Sequence, residues 1–219
     1  LALATWLITR VPFVKKTGLA GTLIAWLFII KVAAGIAIGW ITEHYFPNSD
    51  YWVFNADGQY EYQLLIHHTK EFLTNIFSSP YENSYGNYFN AVGSYWNDLS
   101  HNIILKPLAV INLLSQGNYY INSIFFNWFG FLGPVALYRV FSAIYKSSKW
   151  PLIIGCFLLP SAIYFSSGIG KDLVVFTMIC LYGYALYNIL YSKRTTRRML
   201  LLLLSFVFIL LLRNFVAVS

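Results

Sequence analysis

The chain has 219 residues, of which 58% are hydrophobic, 19% aromatic and only 11% charged. A soluble domain carries about 25% charged residues, and several apolar runs here approach the roughly 20 residues that a bilayer crossing needs, so a polytopic membrane protein is indicated and a soluble core is not. The formal net charge is +7, but the basic residues stand at the ends of apolar runs, a topology pattern and not a nucleic-acid-binding stripe.

In chain order, residues 1–9 are apolar but too short to span, and read as an interfacial piece or the end of a helix that begins before Leu1. The first predicted span runs from about Leu19 to Ile41, with Lys31 in its middle and Gly35 and Gly39 nearby. The segment 43–118 follows. The second span is roughly Tyr120–Phe141, the third Trp150–Phe165 with Pro160 inside it, the fourth Leu173–Tyr191 and the fifth Met199–Arg213. The expected fold is therefore all-α: about five transmembrane helices and a long outer loop that contains an amphipathic helix. The expected organisation is 1–42, N-terminal segment and first span; 43–118, polar segment; and 119–219, a four-helix transmembrane region that continues beyond Ser219. Cys156 and Cys180 both lie in spans without metal-ligand spacing and read as buried small side chains.

Arg10, Lys15 and Lys16, then Arg139, Lys146 and Lys149, then Lys193, Arg194, Arg197 and Arg198 fall on one side if five spans alternate. The positive-inside rule makes that side cytoplasmic. The N-terminal side is then cytoplasmic and segment 43–118 faces outward, into the periplasm if the source is bacterial. No N-x-S/T sequon occurs, which is compatible with such a source.

The outer segment holds the titratable groups. Glu43, Asp50, Asp57, Glu61, Glu71, Glu82 and Asp98, together with His44, His67, His68 and His101, all lie between residues 43 and 101. From Gly58 to Phe77 the apolar spacing predicts a helix with Leu64, Leu65, His68, Phe72, Ile76 and Phe77 on one face. Residues 78–102 read as a long loop. Ile103–Leu114, interrupted by Lys106 and Pro107, reads as interfacial or re-entrant.

Four constellations could carry chemistry. In N-A-D-G-Q-Y-E, Asp57 and Glu61 stand at i and i+4, where they can act as a base or hold a divalent cation. The structural alternative makes Asp57 an N-cap and Glu61 a first-turn acid that suits the helix dipole. Asp50 is a second candidate base, or a turn residue after Pro47. In S-S-G-I-G-K-D, Gly168 and Gly170 can form an anion-binding concavity at the start of the fourth span. Lys171 opposes the helix dipole there, a cost that a bound anion would offset; the alternative is a snorkelling lysine paired with Asp172. Arg213 could complete a two-cation clamp or serve as an interfacial anchor. Trp96 and Tyr88 are candidate platforms for stacking on a sugar ring. No metal motif is present, and Lys31 is placed too deep to join an outer-face site.

The stretch P-S-A-I-Y-F-S-S-G-I-G-K-D, Pro160 to Asp172, with an acidic segment after the first span and a final span ending in L-R-N, resembles bacterial inner-membrane proteins of surface-polysaccharide assembly. These are similar to GT-C-type glycosyltransferases and O-antigen polymerases. The resemblance implies a transferase acting on a polyprenyl-phosphate-linked sugar. Asp57 or Asp50 would match its outer-face carboxylate, and Lys171 and Arg213 its phosphate-holding cations. Two departures stand out: no D-x-D or E-x-D pair is present, and Asn214 replaces a frequent Pro. Membrane lipids and a lipid-linked saccharide are the expected partners, with protein partners in an envelope complex a further expectation and nucleic acid none. Two other classes stay open: a non-enzymatic subunit of a membrane assembly, and a transporter of lipid-linked saccharides, for which Lys31 inside a span is the main support.

Overall fold

A computed structural model describes residues 1–46, 49–76, 95–145, 149–191 and 195–213. The described residues are mainly helical, joined by short turns, with no strand among them. The helices are α1 (Ala2–Arg10), α2 (Pro12–Lys15), α3 (Gly21–Tyr45), α4 (Asp50–His67), α5 (Thr69–Thr74), α6 (Tyr95–Ser115), α7 (Tyr119–Gly130), α8 (Leu132–Ile144), α9 (Lys149–Ile153), α10 (Pro160–Phe165), α11 (Lys171–Tyr191) and α12 (Thr196–Leu212).

Three helical stretches are long and apolar enough to cross a membrane: Gly21–Tyr45, Tyr119–Ile144 and Lys171–Tyr191. They cover the first, second and fourth predicted spans. The third takes a different form. Lys149–Leu158 is a shorter apolar helix whose last five residues, Ile154–Leu158, are wound as a π turn. Leu159 is then extended, and Pro160 opens α10 at its first turn. The residue before a proline is disfavoured in helical geometry, whereas proline at a helix start costs nothing, so Pro160 divides this segment. The fifth is the 17-residue α12, about 25 Å long at 1.5 Å per residue.

The polar segment also differs from its expected form. Its first helix begins at Asp50, well before Gly58, and ends where His68 leaves helical geometry (φ −137°, ψ 57°). That break folds α5 back, so that Phe72 packs with Leu64 and with Ala109 of α6. Ile103–Leu114 is not interrupted at Lys106 and Pro107. It is the body of α6, which runs unbroken through Pro107 while Ile104, Leu105, Leu108 and Ala109 bury their side chains. Tyr95–His101, expected in a loop, form the first turns of α6.

Two layers organise the packing. Around one end of the bundle, Arg139 lies 4.6 Å from the ring centres of both Phe13 and Tyr184. At the other end, α4 and α6 pack over the ends of α3 and α7. Small residues permit this closeness. A Cβ at Gly39 would stand 2.1 Å from the Tyr119 ring, one at Gly35 2.4 Å from Asn127 Nδ2, and one at Gly58 2.4 Å from Leu108. Trp52 of α4 stacks on Tyr119 at 4.6 Å and donates its indole N–H to the Gly39 carbonyl at 3.0 Å.

Candidate functional site

The face of α4 that carries Tyr51, Phe54, Gly58 and Glu61 has the three- and four-residue spacing that brings side chains onto one side of a helix. Each of these residues touches a different part of the candidate site.

Tyr51 covers the glycine turn. A Cβ at Gly168 would stand 3.2 Å from the Tyr51 ring and 3.1 Å from the Tyr119 hydroxyl; one at Gly170 would be 3.6 Å from Tyr51. Gly168 also has φ +87°, a left-handed conformation that glycine adopts without steric cost. Ser166, Ser167 and Ile169 are all 2% exposed or less, so the turn packs inside the protein and does not form an open concavity. Burial, with Tyr164, Asp172 and Asp50 around it, pushes the Tyr51 phenol up to about 12. It is therefore a neutral hydroxyl at physiological pH.

The turn has an unexpected anchor. Lys31, buried in α3, donates from Nζ to the Ser166 carbonyl and, at 2.8 Å, to the Ser166 hydroxyl. The sequence reading set Lys31 too deep to join this region; the inward fold of Ser166 brings the turn down to it. An ammonium at membrane depth is costly unless it finds such acceptors.

Beyond the turn, Lys171 opens α11, with Nζ 5.7 Å from the Phe54 ring centre. Arg213, just past α12, donates to Asp172 Oδ1 at 3.0 Å. Asp172 thus holds the arginine to the start of α11, and both cations sit at one end of the α11–α12 pair. Phe54 also lies 5.5 Å from the His101 ring.

Asp57 is one turn along α4 from Phe54. It is not an N-cap: Ser49 holds that position, Asp50 occupies the first turn, and Asp57 lies well inside the helix. Half-buried, its carboxyl is raised to about 6, first by burial and then by the charge of Glu61. Glu61 itself is 1% exposed. Its Oε2 receives Lys106 Nζ at 2.6 Å, and Oε1 accepts no hydrogen bond. Lys106 also donates to the Phe72 carbonyl at 2.7 Å and lies 4.3 Å from the Phe72 ring centre. Lys106, which sequence reasoning took as a helix interruption, ties α4, α5 and α6 together.

A second feature that the sequence did not disclose is a buried amide network. Asn122 Nδ2 of α7 donates to Asn55 Oδ1 at 3.0 Å and to Asn112 Oδ1 at 2.8 Å. Asn112 donates to the Gly58 carbonyl at 2.9 Å, and Asn55 and Gln59 both donate to the Gly117 carbonyl at 3.0 Å. The Ser115 hydroxyl lies 2.5 Å from Asn122 Oδ1. Nothing in the spacing of scattered asparagines distinguishes such a cluster from loop residues.

Trp96 is half-buried in the first turn of α6. Tyr88 lies outside the described residues, as do Glu82 and Asn214. Among the described residues, no three histidine, cysteine or carboxylate side chains gather as a metal site.

The site therefore offers a half-buried carboxyl with a raised pKa, a paired carboxylate beside it on α4, and a lysine whose ammonium lies by Phe54, one turn of α4 before Asp57, while Arg213 is held to Asp172 next to that lysine. Comparison with protein-family models, with curated proteins and with solved structures finds no match.

Proposed function

We propose that the chain is a membrane glycosyltransferase or polymerase that uses a polyprenyl-phosphate-linked sugar on the outer face of a bacterial inner membrane. The observation that carries this reading is the double placement along α4: Phe54 meets Lys171, and Asp57, one turn further, has its pKa raised to about 6. A general base is most effective when its pKa lies near the working pH. In this reading Asp57 takes the proton of an acceptor hydroxyl, and burial, with its neighbour Glu61, keeps its pKa high. Asp50, packed near Tyr51, is the second carboxylate. Lys171 and Arg213 stabilise the phosphate that departs. Gly168 and Gly170 let the turn approach Tyr51 closely and so position Lys171. Trp96 and Tyr88 would stack on a sugar ring, and a divalent cation would bind between Asp57 and Glu61 if one takes part.

Five crossings fit this reading. Residues 149–165 follow α8 and lead to α11, whose first residue lies at the Tyr51 end. α12 then returns to the same end, where Arg213 meets Asp172. The basic clusters favour the opposite end as cytoplasmic.

The test is a glycan-product assay in cells carrying Asp57→Asn at normal protein level. Product falling at least about a hundredfold, in line with the contribution of a general base, supports the assignment; unchanged product refutes it. Lys31, the main support of the transporter reading, is engaged with Ser166.

A further inference from the structure

Lys31 carries a charge that its protein neighbours do not balance. It is 5% exposed, on α3, and among the described residues no carboxylate pairs with it. An ammonium has three N–H groups to donate. Two of them go to Ser166, one to its carbonyl and one to its hydroxyl oxygen. Both acceptors are dipoles, so the unit charge stays in place. A buried charge is costly until an opposite charge meets it.

Beside the ammonium lies a cavity of about 10 Å³. Leu27 and Lys31 of α3, Phe131, Cys156 of the π turn, Ala162 of α10 and Ser166 line it, with further apolar side chains. That volume is at the lower edge of what holds one water molecule, so the space suits a monatomic or water-sized species and no organic ligand. No carboxylate or amide side chain contributes to the wall. The Ser166 hydroxyl accepts from Lys31, which leaves its own proton to turn toward the cavity, and the Cys156 thiol is a weak donor. The wall thus offers donors around one uncompensated positive charge. A water molecule would satisfy its lone pairs there and leave the charge as it is; an anion does both.

We propose that this cavity is a halide site, in which a chloride ion is held by Lys31 Nζ and the Ser166 hydroxyl. The ion neutralises the ammonium inside the bundle and so favours the charged lysine that bonds to Ser166. The turn that begins at Ser166 is thereby held against α3, and with it the start of α11. The site does not depend on the transferase reading.

The experiment uses the full chain purified in detergent in chloride-free sodium gluconate, with chloride or bromide exchanged in up to about 0.3 M at constant ionic strength. An ion that binds the folded chain stabilises it by mass action, so the melting temperature is expected to rise by about 3–5 °C for each tenfold increase in chloride above its dissociation constant. Bromide behaves alike. Ala162→Val, which narrows the cavity and keeps Lys31 and Ser166, cuts the rise at least twofold, as does Ser166→Ala. Lys31→Met abolishes it; if that variant does not fold, the other two carry the comparison. Anomalous scattering from bromide in a crystal locates the ion, and the expected peak lies against Lys31 Nζ. A melting temperature that stays flat across the titration would overturn the proposal. So would a rise of equal size in all the variants, which marks ions at surface cations, or an ordered water in the cavity with no anomalous signal.

Discussion

Lys106→Met isolates the electrostatic link that holds the polar helices together. In the native chain, Glu61 is 1% exposed and Lys106 18% exposed at the side chain, with 2.6 Å between Nζ and Oε2. Removing the ammonium leaves a buried carboxylate whose other oxygen already lacks a partner. Breaking a buried pair from one side costs about 3–5 kcal/mol, because the remaining charge is uncompensated. The Phe72 carbonyl loses its donor as well. For a chain of this size, each kcal/mol moves the melting temperature by roughly 2–4 °C, so a fall of about 6–20 °C is expected. Glu61→Gln costs less, since the lysine keeps the Phe72 carbonyl and some solvent. The double variant Glu61→Met with Lys106→Met removes both charges and recovers most of the loss, as apolar replacement of a buried pair often does. Thermal unfolding of wild type, Lys106→Met, Glu61→Met and the double variant in one detergent closes the cycle. A Lys106→Met protein that melts within about 1 °C of wild type, or a double variant no better than the single, refutes the reasoning.

Other outcomes follow from the same geometry. Asp57 has a folded-state pKa above that of a free aspartate, so wild type loses stability as pH rises from about 4 through about 6. Asp57→Asn is then more stable than wild type above pH 6 by about 1 kcal/mol, discounted for partial exposure, and the difference closes at the acid end; chemical unfolding across pH measures it. Transferase activity should itself rise with pH and level off above about 6, and a flat profile from pH 5 to 8 counts against Asp57 as base. Gly39→Ala forces the Tyr119 ring aside at a cost of roughly 1–3 kcal/mol, whereas Gly183→Ala meets no atom within 4 Å and stabilises slightly; equal melting temperatures for the two would contradict the packing. Asn122→Leu leaves Asn55 Oδ1 without its donor, a loss of about 1–3 kcal/mol, while Asn112 Oδ1 keeps the Ser115 hydroxyl at 3.0 Å; hydrogen exchange in α4 and α6 should rise with it.

The sequence discloses the spans to the degree that they are long apolar runs. Gly21–Tyr45 and Lys171–Tyr191 lie within a few residues of their expected limits because hydrophobic length is a local property. Pro160 was visible too, yet its effect was not, since a proline in an apolar run can kink a helix or end one. The site was legible in part. Asp57 and Lys171 stand out by residue type against their surroundings, but their partners come from elsewhere in the chain. Ser166 is 135 residues from Lys31, and Glu61 is 45 from Lys106. No periodicity encodes such distances, so a lysine that looked like a helix interruption and one that looked too deep both acquired roles only in three dimensions.

Those two lysines suggest how α4 holds the half-buried Asp57 carboxyl in place. A helix resting on a membrane bundle by apolar contact alone could slide, because such contacts are not directional. Here α4 is fixed at successive levels by directional bonds: Trp52 to the Gly39 carbonyl, Asn55 to Gly117 and Asn122, the Gly58 carbonyl to Asn112, and Glu61 to Lys106. Asp57 lies between the second and third of these. Lys31 fixes the facing turn in the same way, through Ser166, five residues before Lys171. Asp57 and Lys171 are therefore set by two separate supports that meet at Tyr51 and Phe54, and a displacement of either support changes the distance between them. Under the proposed function this matters, since an error of about 1 Å can cost a hundredfold in rate.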